Sequence, residues 1–334
     1  KIKNYISPGD KVITAAVGFP TTVNPIFQNS LVPVFVDSAL GTYNPTFESI
    51  EKAYYENENV KLVFFAHTLG NPLDIQKISD FCKDKKLWLI EDNCDSLGST
   101  HNKKLTGTFG DMSTLSFYPA HHITMGEGGA VLTESTKLKL SIDSFRDWGR
   151  DCWCKSGHDN TCKKRYDWKL GELPEGYDHK YIYSNIGYNL KLTDLQSAIG
   201  TVQIDKLPNF IQKRKENWKA IDNYLKDYQD YFILHQPTEN SDPSWFGYAI
   251  TVKENDKFSR DELVRFLDSK RIGTRFLFGG NLVKQPAYKD KEYVVAEPLE
   301  NADKVLSSTF WIGVYPGINE EMMSYVFESF NEFL

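Results

Sequence analysis

Apolar residues in the first half of the chain fall in short runs of strand length, separated by amphipathic stretches. Strand-like runs recur at 12–17, 31–37, 61–67, 87–92, 112–118 and 130–133. Between them, 22–30, 46–57 and 75–85 carry helix-spaced apolar positions, with Ile75, Ile78, Phe81 and Cys82 on one face of the last. Strand and helix alternating in this order predict an α/β fold, a largely parallel sheet covered by helices. After a helix predicted over 137–148 the regularity stops. Residues 149–188 are loop-rich, and a loop of that length inside a compact domain is usually functional. Helical spacing returns at 193–206 and, past Pro208, at 210–228. Shorter units follow: a strand at 246–253, a helix at 260–269, the segment 271–278 and an amphipathic helix at 320–333. The pattern predicts a large domain over 1–207, containing the 149–188 loop, and a smaller C-terminal α/β domain over 208–334. The turn Pro8-Gly9-Asp10 feeds directly into the first strand, so the opening residues read as the continuation of a fold already begun.

Composition narrows the class. Hydrophobic content of 40% with 25% charged residues is that of a folded globular chain, and 14% aromatic residues suffice for large cores or a subunit interface. A net charge of -6 without a basic stripe argues against a nucleic-acid partner. The apolar runs are too short for a transmembrane helix, and no membrane partner is expected. With no secretory signal at the opening, the five cysteines point to a cytoplasmic protein, in which such residues serve metal or redox chemistry more often than disulfides.

The stretch 114–133 is the centre of the reading. It predicts a strand, a turn at Pro119 bearing His121 and His122, and a reversal at Gly126-Glu127-Gly128-Gly129, where glycine permits positive φ. Open α/β sheets bind ligands just beyond the carboxyl ends of their strands; taken alone, the histidines are more simply those of a solvated hairpin. The strand 87–92 delivers Asp92 to the same rim. An ionised Asp accepts hydrogen bonds only, so it would keep a proton on a cofactor's ring nitrogen. Phe19, ending the first strand, could stack on a flat ring, and Ser116 could donate to a phosphate. Simple core packing and a buried strand hydroxyl are the plainer alternatives. Cys94, Cys152, Cys154 and Cys162 match neither the common zinc nor the plant-type ferredoxin spacing, and spacing alone leaves a metal site and small buried apolar residues equally open.

Together, Phe19, Asp92, Ser116 and the Gly-Glu-Gly-Gly turn resemble the DegT/StrS-type pyridoxal-phosphate sugar aminotransferases, along essentially the whole chain. That resemblance implies the type I aminotransferase fold. The family motif Ser-Phe-x-x-x-Lys, whose lysine holds the cofactor covalently, here reads Ser116-Phe117-Tyr118-Pro119-Ala120-His121. Histidine in place of lysine resembles the branch of sugar dehydratases that use pyridoxamine phosphate, and implies that His121 is the catalytic base. The run RDWGRDCWCKSGHDNTC resembles the iron-sulfur members of that branch. It implies a 2Fe-2S cluster on Cys94, Cys152, Cys154 and Cys162, a CDP-4-keto-6-deoxyhexose substrate dehydrated at C3, and electrons from a flavin/iron-sulfur reductase fed by NADH. Cys82 matches no ligand position and is expected to pack in its helix. The segment 187–191 resembles the family segment whose Asn, here Asn189, reaches the cofactor phosphate of a neighbouring subunit, which implies a homodimer; a turn before a helix is an equally good reading. Asp95 stands where relatives carry a residue near the ring. His67 and Arg275 are candidates for the sugar-nucleotide site, with core or surface roles the plainer reading of each, and 311–316 matches without revealing a role. A phosphate-binding turn and helix of the family would precede residue 1. A cluster-free dehydratase and a catalytically dead binding module are the alternatives.

Overall fold

The computed structural model describes residues 5–154 and 157–334; the first four residues of the opening segment and positions 155 and 156 of the cysteine loop lie outside the described residues. The chain groups into two units, one formed by residues up to Leu132 together with Gly200–Leu334, the other by Thr133–Ile199.

The first unit is built on a seven-stranded sheet. Its strands are β1 (Lys11–Ala15), β2 (Val32–Val36), β3 (Val60–Ala66), β4 (Trp88–Asp92), β5 (Met112–Ser116) and β6 (Gly129–Leu132), in the order β2-β1-β3-β4-β5-β6, with a short seventh strand outside β2. All pairings are parallel except β5 with β6. The helices α1 (Pro20–Gln28), α2 (Phe47–Tyr55) and α3 (Ile75–Lys85) connect the early strands. Residues of β2 are buried on both faces, as a parallel sheet under helices requires. One core gathers Ile13, Val34, Ile50, Phe65, Ile78 and Leu89. Cys82 packs there, as expected.

The C-terminal part forms a four-stranded antiparallel sheet from β7 (Phe232–Leu234), β8 (Gly247–Val252), β9 (Thr274–Phe276) and β11 (Thr309–Gly313), in the order β9-β11-β8-β7. The strand between, β10 (Val294–Val295), instead pairs parallel with β2 as the seventh strand of the large sheet. A two-residue strand carries too little pattern to be read from sequence. A second core joins Val17, Val23 and Phe35 to Phe246, Ala249 and Leu277.

The helical stretches expected on either side of Pro208 are one continuous helix, Asp194–Leu225, so position 207/208 lies inside it. Proline removes its own N–H, and thus the bond to the Ile204 carbonyl, at a cost of about 3 kcal/mol. Burial of Ile221 and Leu225 in the C-terminal core offsets this. In the Gly-Glu-Gly-Gly turn only Gly126 takes positive φ, at 79°.

The second unit holds the helix α4 (Thr136–Arg146) and the long loop. The loop is a closed excursion: Trp148 N donates to Tyr188 O at 2.9 Å, Tyr188 N to Phe145 O at 2.7 Å and Gly149 N to Ser144 O at 2.7 Å. Gly149 lies at φ 84°, and an added Cβ would overlap the Asn185 carbonyl, so only glycine closes the neck. Among the described residues, no helix is long and apolar enough to cross a membrane.

Candidate active site

Alternation along β4 sends its last two side chains to opposite faces of the sheet. Glu91 is buried, whereas Asp92 stands at the strand's carboxyl end. Three donors hold the Asp92 carboxylate: Thr22 Oγ1 at 2.6 Å, Cys94 N at 3.2 Å and Thr114 Oγ1 at 3.2 Å. Thr22 comes from the first turn of α1, and Phe19 caps that helix with its ring 52% exposed and edge-on to Phe278 at 5.9 Å. An exposed ring on a rim beside a held carboxylate fits a flat, protonated heterocycle, the group the sequence implied. Ser116 ends β5, its Oγ accepting from Tyr118 N at 3.3 Å.

The turn after β5 is packed rather than solvated. His121 Nε2 lies 3.4 Å from Asp95 Oδ1, and its ring packs 5.3 Å from Phe246. His121 Nδ1 is buried and has no partner among the described residues. Burial raises the pKa of Asp95, and the bond to His121 opposes that rise. His122 is buried with Nε2 donating to Ser244 O at 2.7 Å, and burial pushes its pKa down to about 3, so it is a neutral structural residue. Arg214, only 3% exposed, donates from Nη1 to Trp245 O and Phe246 O at 3.2 Å each and from Nη2 to His121 O at 3.5 Å. Burial pushes its pKa down to about 10, which still leaves it charged at neutral pH. His121, His122, Arg214, Phe246, Trp311 and Tyr315 line a cavity of about 490 Å³. Trp311 and Tyr315 thus receive a place that their sequence segment did not suggest.

Two candidates have other duties. His67 is fully buried: Nδ1 accepts from Leu73 N at 3.1 Å, so Nε2 carries the proton and donates to Glu91 Oε2 at 3.1 Å. It braces the sheet. Arg275 is exposed on β9 and donates to its neighbour's carbonyl, Thr274 O. Cys94 belongs to the first unit, where its Sγ lies 3.6 Å from Thr114 Oγ1; burial and the Asp92 carboxylate raise its pKa.

In the second unit, Asn189 is exposed and its Oδ1 accepts from Lys191 Nζ at 2.9 Å. Cys152, Cys154 and Cys162 belong to the same unit, joined by a residue the sequence did not single out, His179. Its Nε2 lies 3.3 Å from Cys152 Sγ and 3.6 Å from Cys162 Sγ, and the ligand atoms of Cys152, Cys154 and His179 all lie within 4.8 Å of one another. A hydrogen bond from the Thr161 hydroxyl lowers the Cys154 pKa to about 7, which favours the thiolate that metals bind. Ligand atoms of Cys152, Cys154 and His179 this close together could hold a metal ion. Thr22, Arg214 and His179 were missed because nothing local distinguishes them; only the cysteines earlier on the same loop offered a signal for His179.

Comparison with known proteins places the chain in a family. The chain matches the DegT/DnrJ/EryC1/StrS aminotransferase family over residues 3–331. It is 54% identical to dTDP-4-dehydro-2,6-dideoxy-D-glucose 3-dehydratase of Saccharopolyspora spinosa, over 98% of this chain and 71% of that protein. It is 52% identical to the lipopolysaccharide biosynthesis protein RfbH of Salmonella typhimurium, over 98% and 75%. Among solved structures, E. coli GDP-4-keto-6-deoxy-D-mannose-3-dehydratase with bound hydrated PLP superposes with a TM-score of 0.84 at 28% identity, covering 97% of this chain and 80% of that one. With the type I aminotransferase fold, the rim built on Asp92 and the match along nearly its whole length, this chain belongs to the DegT/DnrJ/EryC1/StrS aminotransferase family.

Proposed function

We propose that the chain is a pyridoxamine-phosphate-dependent hydro-lyase that removes the C3 hydroxyl of a nucleotide-linked 4-keto-6-deoxyhexose, on the way to a 3,6-dideoxy sugar of a surface polysaccharide. The observation that carries this reading is His121 at the family's lysine position, with Nε2 3.4 Å from Asp95. An imidazole cannot hold the cofactor covalently, yet it takes and returns a proton near neutral pH. The relatives named as 3-dehydratases and the bound PLP of the solved relative support it.

When bound, the cofactor supplies an amine for the sugar ketone and a ring that accepts electrons. The chain's own residues do the rest. Asp92 keeps a proton on the ring nitrogen, and Phe19 covers a ring face. Ser116, with Asn189 of a neighbouring subunit in a homodimer, meets the phosphate. His121 removes the proton from the cofactor's methylene, and Asp95 orients the imidazole and offsets the charge it gains. Arg214 fixes the turn by gripping the His121 carbonyl.

The reading includes a 2Fe-2S cluster on Cys94, Cys152, Cys154 and Cys162, relaying electrons from an NADH-dependent flavin/iron-sulfur reductase in the cytoplasm. What supports it is the gathering of Cys152, Cys154 and Cys162 within the second unit. The nucleotide we propose is CDP; the relatives' names contain dTDP and GDP.

The test reconstitutes the protein anaerobically with iron, sulfide and pyridoxamine phosphate, then supplies the CDP-, dTDP- and GDP-linked 4-keto-6-deoxyhexoses in turn with a reductase and NADH. A 3-deoxy product from the CDP sugar, in red-brown protein with about two irons per chain, is expected. Turnover with glutamate by iron-free protein would establish a cluster-free dehydratase, and an amino-sugar product would make the chain an aminotransferase.

A further inference from the structure

The cysteine-bearing unit contains a buried side chain that the reading above leaves without a role. His179 is fully shielded from solvent, and its Nε2 sits between two sulfurs, 3.3 Å from Cys152 and 3.6 Å from Cys162. The ring is held from several sides. Its backbone N donates to Arg165 O at 3.0 Å, and Trp168 packs edge-on at 4.7 Å. The preceding Asp178 is clamped by Arg165, whose Nε and Nη2 donate to Oδ2 at 3.0 and 2.6 Å, and it caps Lys180 N at 3.1 Å. Nothing so fixed is needed to fill space, and a buried imidazole pays a desolvation cost that an apolar residue would avoid.

A thiolate has no proton to give, so a nitrogen poised between two thiolates must be the donor. Hydrogen bonds to ligand sulfurs draw negative charge from an iron-sulfur centre. They stabilise its reduced form, which carries one more electron, over its oxidised form, so the reduction potential rises.

We propose that His179 is a positioning residue for electron delivery, donating its Nε2–H to the thiolates of Cys152 and Cys162 and thereby raising the reduction potential of the cluster they help to hold. This rests on the cluster reading above. His179 is not one of the four ligands and takes up no proton in the process. Its role is a fixed dipole aimed at the side of the cluster bound by the cysteine loop.

The test compares the full chain with His179→Gln and His179→Phe after anaerobic reconstitution. It reads iron and sulfide per chain, the electron paramagnetic resonance of the dithionite-reduced state, and the potential by dye-mediated titration. Expected are unchanged iron and sulfide, a wild-type resonance free of strong nitrogen coupling, and a lower potential in His179→Phe. The oxidised-to-reduced ratio at a fixed potential should rise about tenfold, equivalent to about 59 mV for one electron. His179→Gln keeps an N–H donor and should fall between. If His179→Phe alone loses iron, the potential of His179→Gln decides. A wild-type potential in the iron-holding variant, loss of iron from both variants, or strong nitrogen coupling in the wild type would overturn the proposal. The last would make His179 a ligand. Wild-type protein that stays colourless rejects the underlying cluster reading instead, so the two failures are distinct.

Discussion

Glu91 is the most tightly held carboxylate near the site, and replacing it by glutamine should cost far more than an isosteric change usually does. Its Oε1 accepts from Phe109 N and Gly110 N at 2.7 Å each, and its Oε2 from Gly107 N at 2.8 Å and His67 Nε2 at 3.1 Å. All four partners are donors. A glutamine in either orientation turns its NH₂ toward two of them. His67 cannot relieve the clash by shifting its proton, because Nδ1 already accepts from Leu73 N. Two buried donors are therefore orphaned, at about 1–3 kcal/mol each, so Glu91→Gln should destabilise the first unit by about 3 kcal/mol. Urea unfolding followed by circular dichroism should show the midpoint falling by about 1 M. Acidification supplies an internal control. Burial by itself would raise the Glu91 pKa, but the His67 bond and the Gly107 and Gly110 amides more than offset it, and the pKa is lowered from 4.5. A depressed carboxyl stabilises the fold fully above its unfolded value and loses that contribution as pH falls through its folded value. The gap between wild type and variant should hold at pH 7 and close only as the pH falls below 4.5, the group's ordinary value. A midpoint within about 0.2 M of wild type at pH 7 would refute the donor-only account of this nest.

Three further outcomes follow from the active-site proposal. His121→Asn should retain cofactor by absorbance but exchange the methylene proton with deuterium about 10²- to 10⁴-fold more slowly; undiminished exchange removes His121 as the base. Asp95→Asn leaves the base in place but loosens its orientation, so the same exchange, read by NMR, should slow about tenfold or more with cofactor affinity nearly unchanged. Cys162→Ser should bring iron per chain close to zero after reconstitution, as measured colorimetrically, while far-ultraviolet circular dichroism of the helices stays the same.

The sheet was legible because its evidence is local. Runs such as Val-Phe-Val in β2 and Leu-Val-Phe-Phe in β3 are buried on both faces and can be little else, and α3 and the helix Arg260–Ser269 begin and end where their apolar spacing does. The family and the aminotransferase fold were also legible, from the identity and order of Phe19, Asp92, Ser116 and the lysine position taken by His121. Harder to see were features whose cause is distant in sequence. β10 is two residues that become a strand only because β2 offers an open edge. The helix through Pro208 persists because its later turns are buried, which local propensity cannot register. For His67 a core role was the plainer reading beside a pocket role, but only the fold brings it to Glu91, 24 residues away.

What the chain's order of residues decides alone is chemical inventory: a histidine where covalent attachment would need lysine, a carboxylate at a strand end, and three thiols on one loop. Which groups meet is a matter of tertiary structure. Thr22 reaches Asp92 across 70 residues, Arg214 grips the His121 carbonyl across 93, and His179 comes to the cysteines because a glycine neck closes the loop behind them. Hydrogen-bond partnership depends on a few tenths of an ångström between groups brought together by packing, and no periodicity in a sequence carries that distance.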